Sequence, residues 1–347
     1  MGNRAKAAKS PLNIEVWGRL YEMASEFKRS RCWEWMEDIH IVAVKDPASS
    51  LTGYCSVLGR GGHMTGLAVY LGDTGLYTLQ GMLSGSLDED PRYIQHSLLL
   101  SFEDRRELYP VELKRIKELG LSYRGAGAWP SFRLFEPGYV PWPEFSDELA
   151  AFLTVAIEQT LQTASAYRSN PDDMLDPKGA FVTRVPHRTG TSPINWGEER
   201  IVPGPGMIPE DPEAGPLDQL QLAKLRKSLK PAKGALWEMD CFFLPMPIQE
   251  GDKPFYPLML LVVDHESEMI LHTALFEKSS APREVTARML ELIQSAGILP
   301  EGLWAANPRV FDYMHQLITG LKLQAYVASE LPVLEQAKSV MLHQFGR

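Results

Sequence analysis

Between Leu236 and Glu335 the chain sets out a fixed succession of elements, and that succession limits the folds open to this region. LWEMDCFFLP (Leu236–Pro245) alternates as a strand should, and PLMLLVVDHESEMILHTALFE (Pro257–Glu277) reads as two more strands joined by a turn. A helix follows, capped by Ser280, with Val285, Met289, Leu292, Ile293 and Ala296 on one face and Gly297 closing it. GLWAAN (Gly302–Asn307) is a short buried strand, and Phe311, Met314, Leu317, Ile318 and Leu321 mark the next helix. LQAYVAS (Leu323–Ser329) is a last strand, and Leu334, Ala337, Met341 and Phe345 mark a last helix. Three antiparallel strands followed by alternating helices and strands imply an α/β domain on a mixed sheet.

Alternation along LWEMDCFFL puts Glu238, Asp240 and Phe242 on one face and Trp237, Met239 and Cys241 on the other. An Asp in the middle of a buried strand costs several kcal/mol unless it is paired, hydrogen-bonded or metal-bound. Asp240 is therefore either a metal ligand or a hydrogen-bonded structural carboxylate. Asn307, between a strand end and Pro308, is explained as an N-cap by the unpaired amides of the helix it precedes. Glu335, beside core Leu334, suits a solvated helix face. Asp264 in VVDHES suits a turn closed by its own side chain, and His265, next to Glu266 and Glu268, is a hairpin residue that could ligate a metal.

This succession resembles the ribonuclease H-like core of transposase and integrase catalytic domains. The resemblance implies two metal ions held by carboxylates on the first strand, after the fourth strand and on a later helix. Those places here read Asp240, Asn307 and Glu335. An amide at the middle place carries no charge to balance a divalent ion, so the expected site is degenerate, with no cofactor. Asp240 and Glu335 are the catalytic candidates, and Asp240, Asn307 and Glu335 the metal candidates. The alternative is a Mg²⁺-dependent nuclease or phosphotransferase that recruits Glu277 or Asp312 as a replacement ligand.

The N-terminal half reads as an α+β domain with an antiparallel sheet. Ser10-Pro11 starts a helix whose face is Val16, Trp17, Leu20, Tyr21, Ala24 and Phe27. Strands are expected at Ile39–Val44, Gly53–Gly59, Thr65–Gly72 and His96–Phe102, with a helix over Val111–Gly120 and an extended Phe132–Tyr139. Ser146 caps a long helix bearing Leu149, Phe152, Leu153, Ala156, Ile157, Leu161 and Ala164. Phe181–Pro186 and Asn195–Val202 are expected edge strands. The glycines of GRGGHMTGLAVYLGDTGL flank strands and match no phosphate loop, so they are read as hairpin turns; His63, His96 and His187 stand apart from any nucleophile motif. Trp33, Trp35 and Met36 in CWEWMED line either a ligand pocket or the interface of helix and sheet.

Length and punctuation divide the chain into an α+β domain over residues 1–202, a Pro/Gly-rich linker over 203–233 and the ribonuclease H-like domain over 234–347. The whole chain also resembles a bacterial two-domain family of no known activity. The motifs that carry this likeness run over Trp17–Phe27, Trp33–Met36, Gly53–Gly59, Ala68–Leu76 and Trp237–Glu335. A net charge of −9 disfavours nucleic acid, and within Pro231–Arg347 nine Lys/Arg face fourteen Asp/Glu. The basic MGNRAKAAKSPLN lacks a following apolar run, and Leu258–Val263 is far too short to span a bilayer, so neither export nor a membrane is expected. Cys32, Cys55 and Cys241 have neither zinc nor disulfide spacing and suit a reducing cytoplasm. The expected protein is a non-catalytic binding or scaffolding protein with an unidentified partner.

Overall fold

The computed structural model describes residues 12–345 apart from 63, 188–193, 209–210, 212–213 and 252. Ser10, Pro11, His63 and the Phe345 side chain lie outside the described residues. Two compact units are present, one of Met1–Pro137 with Pro141–Ile208, the other of Gly138–Val140 with Pro209–Arg347. Each has helices on a mixed sheet, an α+β organisation. Among the described residues no helix is long and apolar enough to cross a membrane.

The first unit runs α1 (Ile14–Ser30), β1 (Val42–Lys45), β2 (Thr52–Leu58), β3 (Gly66–Leu71), α2 (Gly72–Ser84), α3 (Pro91–Ile94) and β4 (Ser97–Glu103), then α4 (Pro110–Glu118), β5 (Trp129–Phe135), α5 (Asp147–Ala166), β6 (Phe181–His187) and β7 (Asn195–Ile201). Asn13 caps α1, its Oδ1 accepting the Val16 amide at 3.3 Å. Trp17, Leu20, Tyr21, Ala24 and Phe27 follow at helical spacing and are buried against α5 and the sheet. Ser146 caps α5 as expected, and Asp147 Oδ1 accepts the Trp17 indole N–H at 2.9 Å, which fixes the two helices to each other.

The sheet order is β5-β4-β3-β2-β1-β6-β7. The expected purely antiparallel sheet is corrected here, because β6 enters parallel to β1 with Val42 opposite Val182. Local patterning gives strands but not their partners; α5 carries the chain back across the sheet, and β6 then lies beside β1 and inside the edge strand β7. The hairpin reading holds at Gly59–Gly62 between β2 and β3, where the Gly62 amide donates to the Gly59 carbonyl, but not at Gly72. Gly72, at φ 58°, opens α2, and a Cβ on Gly75 would lie 2.5 Å from the Tyr70 carbonyl carbon. That close approach seats Leu76 and Leu79 on the second face of the sheet with Ile41, Ala43, Tyr54 and Tyr70.

The second unit runs α6 (Gln219–Ser228), β8 (Lys230–Phe243), β9 (Leu258–Asp264), β10 (Ile270–Phe276), α7 (Ala281–Ala296), β11 (Ile298–Ala305), α8 (Arg309–Tyr313), α9 (His315–Leu321), β12 (Ala325–Val327) and α10 (Pro332–Phe345). Its sheet is ordered β10-β9-β8-β11-β12, with β8 central, antiparallel to β9 and parallel to β11, as the succession of elements implies. The helices α6 to α9 cover one face through Trp237, Met239, Leu260, Val262, Val285, Met289 and Leu317. The helix α10 covers the other through Leu261, Val263 and Leu334.

Two details differ from expectation. The stretch 203–233, read as a linker, contains α6 and the first residues of β8: Leu222 is buried, and Lys230–Ala232 pair with Ile298–Pro300. Its Pro and Gly content hid a helix that Asp218 caps from both the Leu220 and Gln221 amides. At α7, the Ser280 hydroxyl donates to the Glu277 carbonyl instead of capping the helix, while Gly297 closes it at φ 69°.

Cys32 and Cys55 are free and buried, and burial pushes their thiols up to about 11 and about 12. An unfolded thiol ionises near about 8.5. Above that pH the unfolded chain releases protons that the folded chain keeps, so the stability these thiols contribute is complete below about pH 8.5 and falls as pH rises toward the folded values. Urea midpoints measured at about pH 8 and about pH 10 should therefore fall, by up to about 1.4 kcal/mol per thiol per pH unit. Cys55→Ala should lower the midpoint at both values but flatten the slope; an unchanged slope would refute the burial account.

Candidate functional site

Strand alternation and the register of β8 place two carboxylates next to each other on its α10 face. Glu238 pairs with Val263 and Asp240 with Leu261, and their relative exposures are 0% and 8%. Charges buried to that degree need partners. Glu238 receives one from each end of its carboxylate. Its Oε2 accepts the Leu334 amide at 2.8 Å, one of the first amides of α10 that have no partner within the helix. Its Oε1 lies 2.5 Å from Nδ1 of His265, whose ring sits 5.4 Å from that of Trp304. A strand carboxylate thus caps a helix 96 positions away.

Asp240 is satisfied differently. Its Oδ1 accepts the Cys241 amide at 2.8 Å, and its Oδ2 lies 2.9 Å from Nζ of Lys338 on α10. The same ammonium lies 4.6 Å from the centre of the Phe242 ring and 3.9 Å from Oε1 of Glu335. Lys338 therefore gathers the two outer candidate carboxylates around a tethered cation. Asp240 is held tightly; Glu335, with its side chain 60% exposed, is held only at long range.

Asn307 does not join them. Ala305 is opposite Met239, so Asn307 falls just past the end of β11, and its Oδ1 accepts the Arg309 amide at 3.0 Å. That is the helix-start role its sequence position suggests. Asp264 closes its turn by accepting from the Ser267 amide at 2.9 Å and hydroxyl at 2.7 Å. Glu277 accepts the Tyr139 hydroxyl, and Asp312 is exposed on α8. Among the described residues no three His, Cys, Asp or Glu side chains converge as a metal site. A hard cation such as Mg²⁺ requires several oxygen ligands, and the oxygen that Asp240 could offer faces an ammonium; the donor set does not fit the ion.

The aromatic cluster of the first unit separates into two roles. Trp33 lines a cleft of about 280 Å³ together with Lys28, Met64, Phe102 and Glu103, and its ring packs on Phe27. Trp35 donates its indole N–H to the Ala164 carbonyl at 3.0 Å, and Met36 is fully buried. Both belong to the packing between helix and sheet.

Sequence reasoning overlooked the partners Lys338 and Glu238. Lys338 stands four residues after core Leu334, so it shares the sheet-facing side of α10, a signal that helical spacing alone carries. Glu238 was visible as a neighbour of Asp240, but its helix-capping role depends on tertiary placement.

Both halves of the chain match family models. The model described as Domain of unknown function (DUF7309) matches residues 17–184, and that described as Domain of unknown function (DUF6930) matches residues 221–342. No curated protein matches the chain. Among solved structures, the catalytic core domain of BIV integrase is similar at 18% identity over 32% of this chain and 65% of that one, with a TM-score of 0.24. The HTLV-2 integrase catalytic core domain in complex with magnesium is similar at 14% identity over 33% of this chain and 71% of that one, with a TM-score of 0.25. The chain spans less than two thirds of the first of these, and TM-scores this low carry no weight for activity.

Removing the cap should separate α10 from its strand. Glu238→Ala leaves the Leu334 amide and His265 without their partner and is expected to cost about 2–4 kcal/mol. Glu238→Gln keeps an acceptor for the amide and should recover most of that loss. Hydrogen exchange should show the first turn of α10 opening in the Ala variant; equal protection in both variants and in the parent would refute the cap.

Proposed function

We propose that the chain is a non-catalytic binding or scaffolding protein in which a degenerate ribonuclease H-like domain has its Asp240 carboxylate closed by an internal cation. The observation that supports this reading is the Lys338 ammonium 2.9 Å from Asp240 Oδ2. A divalent ion at Asp240 would have to displace that ammonium, and the neutral Asn307 would contribute no balancing charge. A tethered ammonium neutralises Asp240 but offers no exchangeable coordination position, so it cannot hold and ionise a water molecule as a metal does. The buried, free Cys32 and Cys55 suit a reducing cytoplasm as the compartment.

The full chain, incubated with DNA or RNA in the presence of Mg²⁺ or Mn²⁺, should cleave neither, and neither ion should raise its melting temperature. Lys338→Met keeps the packing stem, strands the Asp240 charge and is expected to destabilise by about 2–4 kcal/mol. Asp240→Asn should cost about 1 kcal/mol, because a neutral acceptor remains for the partly exposed lysine. The double variant should resemble Asp240→Asn alone, the coupling expected of a pair. Mg²⁺-dependent cleavage that vanishes in Asp240→Asn would overturn the reading.

A further inference from the structure

The end of the second sheet opposite Asp240 carries a feature that whole-chain charge conceals. From Gln219 to Lys233 there are five cations, Lys224, Arg226, Lys227, Lys230 and Lys233, and no acidic residue. The fold brings Lys322 to the same place, where Arg226, Lys233 and Lys322 line a groove of about 450 Å³ floored by Leu299, Pro300 and Leu323. None of the six enters an ion pair found among the described residues, and all but the half-buried Arg226 are exposed. Arg226 and Lys227 are accounted for in part by the carbonyl end of α6. Lys230, Lys233 and Lys322 are not. The single carboxylate of the groove, Glu301, accepts the Gly234 amide at 2.6 Å.

Beside this groove runs the free edge of the sheet. The Gln324 carbonyl accepts from Leu303 and the Ala328 amide donates to Ala305, so alternation turns the backbone groups of Ala325 and Val327 outward, away from β11. The three residues of β12 are exposed, and no lysine, proline or bulge blocks its outer edge within the strand. An unpaired strand edge that begins at a basic groove has the two elements that recognise an extended acidic segment: main-chain donors and acceptors for its backbone, and ammonium groups for its side chains.

We infer that this groove and edge bind a short acidic peptide, which adds to β12 as a further strand and places its carboxylates among Lys233, Lys322 and Arg226. A long nucleic acid is the less suitable occupant. In Pro209–Arg347, thirteen Lys/Arg face eighteen Asp/Glu, so outside these six cations the surface is acidic and repels a polymer that extends beyond the groove. A peptide confined to the groove lies within about one Debye length, roughly 8 Å, of the cations it pairs with. The inference extends the binding-protein reading but does not share its test, since peptide binding and nuclease activity are measured separately.

The probe is a fluorescein-labelled peptide of alternating Glu and Val, titrated with the full chain and followed by fluorescence anisotropy. It should bind, and raising NaCl from about 50 to about 500 mM should weaken it at least tenfold. The corresponding Lys/Val peptide should not bind. Lys233→Glu/Lys322→Glu alters only exposed side chains and should lower affinity at least tenfold. Val327→Pro removes an outward amide without removing a ladder hydrogen bond, and should lower affinity as far with every cation in place. Thermal melts establish that both variants are folded. Failure of the parent chain to bind, unchanged affinity in either folded variant, or tighter binding of a single-stranded oligonucleotide than of the peptide would overturn the inference.

Discussion

Glu238 and Asp240 stand two residues apart on a buried strand face, and both are answered by one helix. The Leu334 amide at the start of α10 meets Glu238, and the Lys338 ammonium one turn later meets Asp240. Between them Leu334 packs with Leu261 and Val263, so polar and apolar contacts specify the same register of helix on sheet. A one-residue slip of β8 would carry both carboxylates into the Trp237 and Met239 layer. The charges thus fix the strand's orientation more sharply than its apolar residues do. The helix α10 both buries the two carboxylates and supplies the amide and the ammonium that offset their desolvation.

The first unit uses a related device. Glu112 on α4 is fully buried; its Oε1 accepts the Ser131 hydroxyl at 2.7 Å and the Phe132 amide at 3.3 Å, and its Oε2 accepts the Tyr109 amide at 2.8 Å. Arg115, one turn on, lies 3.6 Å from the Trp17 ring centre and donates to the Pro143 carbonyl at 3.1 Å. Here too a carboxylate ties a helix to a strand, with backbone donors supplying most of the compensation. In both units the buried charges hold elements that are distant in sequence.

Local periodicity made most elements legible. The apolar stripes of α1, α5 and α7, the alternation of β8 and the unbroken apolar run of β9 each carry their own signal, and the succession of elements in the second unit was enough to order its sheet. What escaped depended on tertiary placement. The parallel pairing of β6 with β1 follows from the path of α5, which no strand pattern encodes. The helix α6 lay inside a Pro/Gly-rich stretch whose composition outweighed its ten-residue pattern. At the candidate site, the identity of Asp240 was legible but its partner was not, because Lys338 is 98 residues away and becomes a neighbour only when α10 docks.

That partner changes what the position can do. A bound metal stabilises the folded state in proportion to the logarithm of its concentration, and leaves when chelated. A lysine on an adjacent helix is always present, so it neutralises Asp240 with no dependence on metal concentration. The difference in chemistry is equally sharp. A divalent ion retains open positions for water or a phosphate oxygen, whereas the Lys338 ammonium is already turned toward Asp240 Oδ2, with the Phe242 ring and Glu335 as further neighbours. The same electrostatic demand, a cation beside a buried carboxylate, is thereby met from within the chain.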